Sequence, residues 1–438
     1  MFKHLFPYYV GAFCLGALLT SPGALVATLL PFLRWSQETF GVALSLNALG
    51  SVLGGLAIGR CVTIRNHHLF FVMTVLANII GYLCVFALSP LAGAASSFVA
   101  MFGFLLAGVA ACGFITTATT RIFDGGSGAR EFGIMQLCFA GGLMAGPLLA
   151  TLLAGGAHAL ASTTQAGQSI RPIQFKSVYL LLALELECVI YVSALLLLKK
   201  TSEQSALPAP HEAVEQTAKL AVVKSIAQDD SQPTPRGFKH LIPMALAALG
   251  IMAFRGVESC LFGWGVMWAQ GKLGFTAASG GLMMTAFGVG FFTARLVVLN
   301  WKTIAPSKLA TLLTVCILTS LCLVGGAAGM AGIGARHEII YQVMFFALGL
   351  MLGNNSTWSV VSMYAFYSGK DATRQANRVT AFAPVGVIIL PFVTGKVVHS
   401  WGLGAFPLLM VSVLGIAAIS YGVLAIYGKR SHIPLSRS

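Results

Sequence analysis

The sequence predicts an all-α membrane protein whose twelve transmembrane helices form two pseudo-symmetric six-helix bundles. Three observations carry this prediction. The 438 residues are 57% hydrophobic and only 9% charged, whereas soluble domains carry about 25% charged residues. Twelve apolar runs are long enough to cross a bilayer, and one polar segment divides them six and six. The two halves of the chain also resemble each other.

The spans follow from length, because a helix needs about 20 apolar residues to cross the hydrocarbon core. Before the polar segment this window gives spans at 9–32, 40–60, 69–89, 96–120, 132–155 and 177–198. After it, spans follow at 241–269, 277–299, 309–333, 338–366, 379–399 and 404–427. The span at 379–399 has the weakest signal because it contains Lys396 and two prolines.

The polar segment at residues 199–240 contains prolines and few aromatic residues, which is typical of a flexible linker. It predicts three parts of the chain. Residues 1–198 form an N-terminal six-helix bundle, 199–240 a cytoplasmic linker, and 241–438 a C-terminal six-helix bundle with a short cytoplasmic tail.

The distribution of lysine and arginine predicts the orientation. With the N-terminus inside, 19 of the 27 lysines and arginines fall in cytoplasmic segments, six in outer segments and two within spans. The positive-inside rule therefore places both termini and the linker in the cytoplasm, as expected in a cell (inner) membrane. It also explains the net charge of +14 without nucleic-acid binding. The nine cysteines show no metal-ligand spacing, so no metal site is predicted.

The two halves align at two offsets. A shift of 235 residues places 39–60 over 274–295 and brings Arg60 onto Arg295. A shift of 244 residues places three residues of one half over three of the other, pairing Arg130 with Arg374, Gly142 with Gly386, and Pro147 with Pro391. Such internal duplication is a mark of many transporters.

Twelve spans in two halves with a long central loop resemble the major facilitator superfamily over nearly the whole chain. The loop "GRCVTIRNHH" (59–68) is similar to the signature between the second and third helices of that superfamily, without its aspartate. The stretch "FGIMQLCFAGGLMAGPLL" (132–149) is similar to its fifth-helix glycine–proline pattern.

Two stretches, "FRGVESCLFGWGVMW" and "GGLMMTAFGVGFFTAR", resemble the seventh and eighth helices of the fucose–proton symporter branch. Gly256, Glu258, Trp264 and Arg295 occupy the positions of that pattern. The branch also carries acidic residues in its first and fourth helices, whereas 9–32 and 96–120 contain none. The resemblance therefore does not by itself bring proton coupling to this chain.

Arg255 and Glu258 lie near the middle of the span at 241–269, three residues apart, and so share a helix face. Ionisable residues at this depth usually face a partner or a water-filled cavity. We interpret Glu258 as a proton-linked or substrate-binding carboxylate and Arg255 as its partner or an anion contact. The alternative is a structural ion pair that only holds helices together.

Neutral polar residues predict further contacts with a solute. Asn354, Asn355 and Trp358 are concentrated in one span, where amides and an indole suit a sugar-like ligand. Gln136 and Asn47 are candidates from the other half, and Trp264 is assigned to the cavity wall. Interhelical hydrogen bonding is the alternative role for all these polar groups.

The remaining charged candidates have structural interpretations. Glu185 and Glu187 face opposite sides of a helix, so they cannot form one dyad, and a structural role competes with solute binding. Arg60 and Arg295 are interpreted as braces of cytoplasmic helix ends. Arg130 and Arg374 join this structural or gating set.

These observations predict a secondary active transporter of a small polar, sugar-like organic solute that works by alternating access and is coupled to protons. The alternative is an exporter of drugs, lipid-like molecules or siderophores. A membrane enzyme is disfavoured because clustered histidines and carboxylates are missing, and no nucleotide-binding motif supports ATP-driven transport. A receptor or scaffold with this fold stays open. We expect a monomer without cofactors whose partners are the solute, H⁺ and the bilayer.

Overall fold

The computed structural model describes residues 5–62, 66–89, 93–124, 129–163, 241–300, 306–367 and 369–430. The predicted span at 177–198, with Glu185 and Glu187, and the linker at 199–240 lie outside the described residues. The described α-helices are α1 Phe6–Ala24, α2 Val26–Leu33, α3 Gln37–Cys61, α4 His67–Leu83, α5 Ser96–Asp124, α6 Ala129–Thr163, α7 Ile242–Trp268, α8 Ala277–Asn300, α9 Pro306–Gly332, α10 Glu338–Leu352, α11 Asn355–Val361, α12 Gly369–Trp401 and α13 Ala405–Arg430.

The eleven predicted spans that fall on described residues are all helical, including the one with the weakest signal, which lies within α12. Nine helices in this part of the chain are long and apolar enough to cross a bilayer. Their length matters because a hydrocarbon core about 30 Å thick requires about 20 helical residues. The chain is therefore an integral membrane protein, as its composition predicts.

The first span is broken into α1 and α2 at Leu25, three residues after Pro22 within α1. Arg34, in the left-handed region at φ 54°, ends α2. The next helix starts three residues later at Gln37, and the hydroxyl of its N-cap residue Ser36 accepts a hydrogen bond from the Thr39 N–H at 3.1 Å. This side-chain cap satisfies one of the free N–H groups at the start of α3.

The span at 338–366 is also discontinuous. Helix α10 ends at Leu352, Gly353 and Asn354 form a turn, and α11 begins at Asn355. A 3₁₀ turn at Ser362–Ala365 then completes the crossing. The break frees backbone carbonyls in the interior of the bundle, and such groups need partners because no water reaches them in lipid.

The predicted duplication is visible in helix packing. Helix α1 packs on α6 as α7 packs on α12, and α3 packs on α5 as α8 packs on α10. A methyl group added at Gly142 would lie 1.8 Å from the carbonyl oxygen of Phe13, and one added at Gly386 would lie 1.8 Å from that of Met252. The aligned glycines thus make the same close helix approach in both halves, as small residues permit in membranes.

The two halves meet along three helix pairs: α6 with α8, α3 with α12, and α1 with α7. We call the end of the bundle where α1 begins and α13 ends the terminal end, and the other end the opposite end. Because neighbouring spans alternate in direction, α7 runs from the terminal end to the opposite end and α8 returns. This arrangement places the middle of α7 at the junction of the halves.

Candidate functional site

A stripe of accessible residues runs along α7 from the terminal end to its middle. Leu241 and Leu249 are each 40% exposed, and Arg255 is 31% exposed. These positions, together with the exposed Ala245 and the intermediate Met252 and Ser259, recur every three or four residues and so share one face. Helix α7 contacts α1, α2, α8, α11, α12 and α13, and we interpret its accessible face as the wall of a gap between these helices. We call this gap the cleft.

The cleft closes towards the opposite end. Trp264 is completely buried and meets the Phe40 ring edge-to-face, with ring centroids 5.3 Å apart. A methyl group at Gly23 in α1 would lie 2.0 Å from the carbonyl oxygen of Phe262, so α1 and α7 are in backbone contact there. At the surface, the Lys396 ammonium lies 3.7 Å from the Glu38 carboxylate, across the two halves. The cleft is thus accessible from the terminal end.

Arg255 and Glu258 form an ion pair at the base of the accessible stripe. Nη1 of Arg255 donates to both carboxylate oxygens of Glu258, at 2.7 Å to Oε1 and 2.6 Å to Oε2. The Glu258 side chain is only 8% exposed, while the arginine remains partly accessible. The pair therefore has one buried partner and one partner that reaches the cleft.

Arg295 on α8 belongs to the same charged group. Phe291, one turn before Arg295, packs against Phe262, one turn after Glu258, with ring centroids 6.4 Å apart, so the three charges lie in one region. Nη1 of Arg295 donates to the backbone carbonyl and the side-chain Oε1 of Gln136, each at 3.2 Å, across the junction of the halves. Its Nε donates to the carbonyl of Gly353 at 3.4 Å. We call Arg255, Glu258, Arg295 and Gln136 the central site.

Arg295 also supports the break in the tenth crossing. The Gly353 carbonyl that it binds belongs to the turn between α10 and α11. The side-chain amide of Asn354, the other turn residue, donates to the carbonyl of Ala294 at 2.6 Å. The guanidinium and this amide thus tie the discontinuous helix to α8 beside the central site.

The other predicted contact residues lie elsewhere. Asn354 is 5% exposed and Asn355 is fully buried, while Trp358 is partly buried against the core of the C-terminal half. Asn47 donates to the carbonyl of Phe104 at 3.0 Å and so joins α3 to α5. In this conformation, the structure brings Gln136 to Arg295 and leaves Asn47, Asn354 and Asn355 in contacts within the protein or buried.

The arginines grouped as braces are not equivalent. Arg60, Arg130 and Arg374 are exposed, whereas Arg295 is partly buried and joins the two halves. Sequence reasoning interpreted Arg295 as a brace like its repeat mate Arg60 and did not predict the contact with Gln136. The available signal was that Arg60 is the last residue of its predicted span, whereas Arg295 lies four residues inside the end of its span, at a depth where cations are rare.

Comparisons with known proteins identify the fold of the chain. No protein-family sequence model matches the chain, and no curated protein sequence matches it. Solved structures do. A bacterial homologue of the human lysosomal transporter Spinster, in an inward-facing, occupied conformation, has TM-score 0.63 and 14% identity, covering 96% of each chain. The nucleoside transporter NupG has TM-score 0.64 and 13% identity, covering 97% of this chain and 98% of its own.

The fucose:proton symporter FucP of E. coli, solved as a single-residue variant, has TM-score 0.50 and 16% identity, covering 96% of this chain and 99% of its own. All three are transporters of the major facilitator superfamily. The chain has the major facilitator fold. Identities this low establish the architecture only. In this major facilitator fold, the central site lies where the two six-helix halves meet.

The central site can exchange charge and donate hydrogen bonds. A carboxylate can take up a proton, and a guanidinium presents five N–H donors in a fixed fork. Among the described residues, no group of histidines, cysteines and carboxylates could hold a metal ion. The contact of Arg255 with Glu258 gives the site an ion pair that protonation of the carboxylate can break.

Proposed function

We propose that this chain is a secondary active transporter that moves a small polar organic solute by alternating access and couples the movement to protons. The observation that carries the proposal is the Arg255–Glu258 ion pair in a cleft that opens at one end of the bundle and is closed at the other. A buried charge pair is costly and is found mainly where substrates or ions pass. In major facilitator folds the halves rock around such a midplane site.

Similar structures support transport. NupG is named as a nucleoside transporter and FucP as a fucose:proton symporter, so hydroxyl-rich solutes and protons occur among proteins with this architecture. The Spinster homologue was solved facing inward. With the termini in the cytoplasm, as the lysine and arginine count predicts, the cleft of this chain also opens inward.

Glu258 would couple the solute to the proton. While it is ionised, its two oxygens hold Nη1 of Arg255. Protonation removes the charge attraction and releases the guanidinium to the cleft, where a solute can bind it. Proton binding and solute binding are then linked, because each changes the free energy of the other.

The helices around Glu258 supply few other titratable groups at its depth. Arg295 acts on it from α8. The remaining charged residues and phenols on the neighbouring helices lie nearer the helix ends or inside the C-terminal half: Tyr8 and Tyr9 on α1, Lys370, Asp371, Arg374, Arg378, Lys396 and His399 on α12, and Tyr421, Tyr427, Lys429 and Arg430 on α13. A pH dependence of transport would therefore report on Glu258 first.

The test uses purified protein in liposomes with labelled sugars and nucleosides. We expect an inward proton gradient to drive accumulation of the transported solute. Glu258→Gln should abolish accumulation but retain exchange of labelled for unlabelled solute, since exchange needs no net proton movement. Glu338→Gln, which changes an exposed carboxylate at the opposite end, is the matched control.

Two results would oppose the proposal. Full accumulation by Glu258→Gln would remove this residue from coupling. Proton-driven loss of solute from the liposomes, with no uptake in either direction of the gradient, would favour the export of drugs, lipid-like molecules or siderophores.

A further inference from the structure

The charge of the central site identifies a class of solute. We infer that the transported solute is an organic anion whose carboxylate or phosphate group binds between Arg255 and Arg295. This inference rests on the proposed function, because it assumes that the cleft carries a solute. Three observations support it: the charge balance of the site, the guanidinium N–H groups of Arg255 that do not bind Glu258, and the burial of the Asn354 and Asn355 amides.

The charge balance favours an anion. The central site contains two guanidinium groups and one carboxylate, so one positive charge is left when Glu258 is ionised. Charges interact more strongly inside a bundle than in water because the effective dielectric constant is lower. Protonation of Glu258 raises this excess to two positive charges, and a bound monoanion lowers it again to one, whereas a neutral solute would leave both charges uncompensated.

The donors for an anion are present. The hydrogen bonds of Arg255 to Glu258 use Nη1 alone, and its side chain is 31% exposed. Gln136 accepts from Arg295 through Oε1, which directs its amide N–H₂ group as a further donor. Guanidinium groups match carboxylate and phosphate oxygens in pairs of parallel hydrogen bonds.

Glu258 shows the geometry that such an anion would adopt. Its carboxylate is the anion that the Arg255 guanidinium holds in this conformation. A solute carboxylate or phosphate can take that place when Glu258 is protonated. The proton comes from the aqueous phase and remains on Glu258 until the solute leaves, so no charge is created or lost in the exchange.

The neutral amides do not compete for the solute in this conformation. Asn354 is held by the carbonyl of Ala294, and Asn355 is fully buried with no hydrogen-bond partner for its amide among the described residues. These residues formed the basis for expecting a sugar-like solute. Apart from Gln136 and Ser259, the polar groups that we place at the cleft are charged, so a solute with hydroxyl groups alone would have few partners there.

The experiment compares three probes that share one sugar ring: D-glucose, D-glucuronate and D-glucose 6-phosphate. Binding to the full-length protein in detergent is measured by calorimetry, and exchange of each bound probe is measured in liposomes. We expect one or both charged sugars to bind at least about tenfold more tightly than glucose, the ratio of a single charge-assisted hydrogen bond. The carboxylate and phosphate arms separate the two kinds of anion.

Variants of Arg295 test the site itself. Arg295→Gln should weaken binding of the charged probe by about tenfold to a hundredfold, while Arg295→Lys, which keeps the charge, should recover part of the loss. Arg336→Gln removes an exposed arginine at the opposite end and serves as the control. Thermal unfolding without a probe checks that each variant is folded.

Each outcome has one meaning. Equal binding of glucose and the charged sugars, no binding of any probe, or unchanged affinity of the charged probe in Arg295→Gln overturns the anion inference and leaves the proposal of transport standing. Tight binding of a charged probe that never exchanges across the liposome membrane supports the anion site and overturns the transport function.

Discussion

The Arg255–Glu258 pair has a clear energetic asymmetry. Glu258 is 8% exposed, while Arg255 is 31% exposed and can recover hydration at the cleft. Removing the arginine leaves a carboxylate with little water and no partner on its own helix. Removing the glutamate leaves a cation that can still reach the cleft. The two single changes should therefore differ in their effect on stability.

Arg255→Gln is expected to destabilise the protein by about 1–3 kcal/mol, the cost of an unsatisfied buried group. The double variant Arg255→Gln/Glu258→Gln should recover most of that loss because both charges are gone. Thermal unfolding in detergent measures both. If the single variant is as stable as the wild-type protein, the carboxylate is hydrated and the ion pair is not needed to hold it.

At the scale of single residues, the sequence predicts contacts between residues that are close together along the chain. The spacing of Arg255 and Glu258 places both on one face of a helix, so their pairing follows from the 3.6-residue period. The contact between Arg295 and Gln136 joins residues 159 positions apart. It depends on the packing of α6 against α8, which no local pattern encodes.

The helices themselves are predicted by length and apolarity, whereas their interruptions are not. The sequence gives continuous spans at 9–32 and 338–366, but the structure breaks them at Leu25 and at Gly353–Asn354. Two hydrogen bonds stabilise the second break: the Arg295 guanidinium donates to the Gly353 carbonyl, and the Asn354 amide donates to the Ala294 carbonyl. Breaks of this kind arise from tertiary contacts that satisfy freed backbone groups.

The contact of α1 with α7 predicts the effect of a single methyl group. Gly23→Ala would place a carbon 2.0 Å from the Phe262 carbonyl oxygen, which forces the two helices apart at the opposite end. Overpacking typically costs about 1–3 kcal/mol. We expect the closed arrangement to lose population to one that opens at the opposite end.

Labelling a cysteine at Ser45 measures this change. The partly buried Ser45 hydroxyl donates to the Ile388 carbonyl across the halves at 2.7 Å, so its position becomes more accessible when the junction opens. In a background without native cysteines, Gly23→Ala should increase the labelling rate by an impermeant maleimide. Gly329→Ala adds a methyl group with no atom within 4 Å and is the control. Equal rates in the two variants would show that the α1–α7 contact does not hold the junction closed.

At the scale of the molecule, the contacts between α3 and α12 and those between α6 and α8 differ in how far they extend towards the terminal end. Helices α3 and α12 are joined by the ion pair of Glu38 with Lys396, by glycine contacts, and by the hydrogen bond from Ser45 to the carbonyl of Ile388. Contacts of α6 with α8 continue from Thr151 and Gly281 to Gln136 and Arg295, closer to the terminal end. Among the contacts described here, those of α6 with α8 therefore extend further towards the terminal end than those of α3 with α12, which makes the junction asymmetric. Such asymmetry depends on the conformation and cannot be predicted from span lengths.

Alternating access requires the opposite-end junction to open, and a crosslink there tests this requirement. Cysteines at Glu38 and Lys396, whose charged groups lie 3.7 Å apart, can be joined by a bifunctional maleimide in a background without native cysteines. We expect the crosslink to abolish solute exchange while binding from the terminal end persists, because the cleft stays open on that side.

A crosslink within one half provides the matched control. Ser279 donates to Glu338 at 2.9 Å, also at the opposite end, but both residues belong to the C-terminal half. Joining cysteines at these two positions should leave exchange intact, since a rigid-body motion between the halves does not change distances within one of them. If both crosslinks stop exchange equally, the moving unit is smaller than a half, and if neither does, the solute passes without separation of α3 from α12.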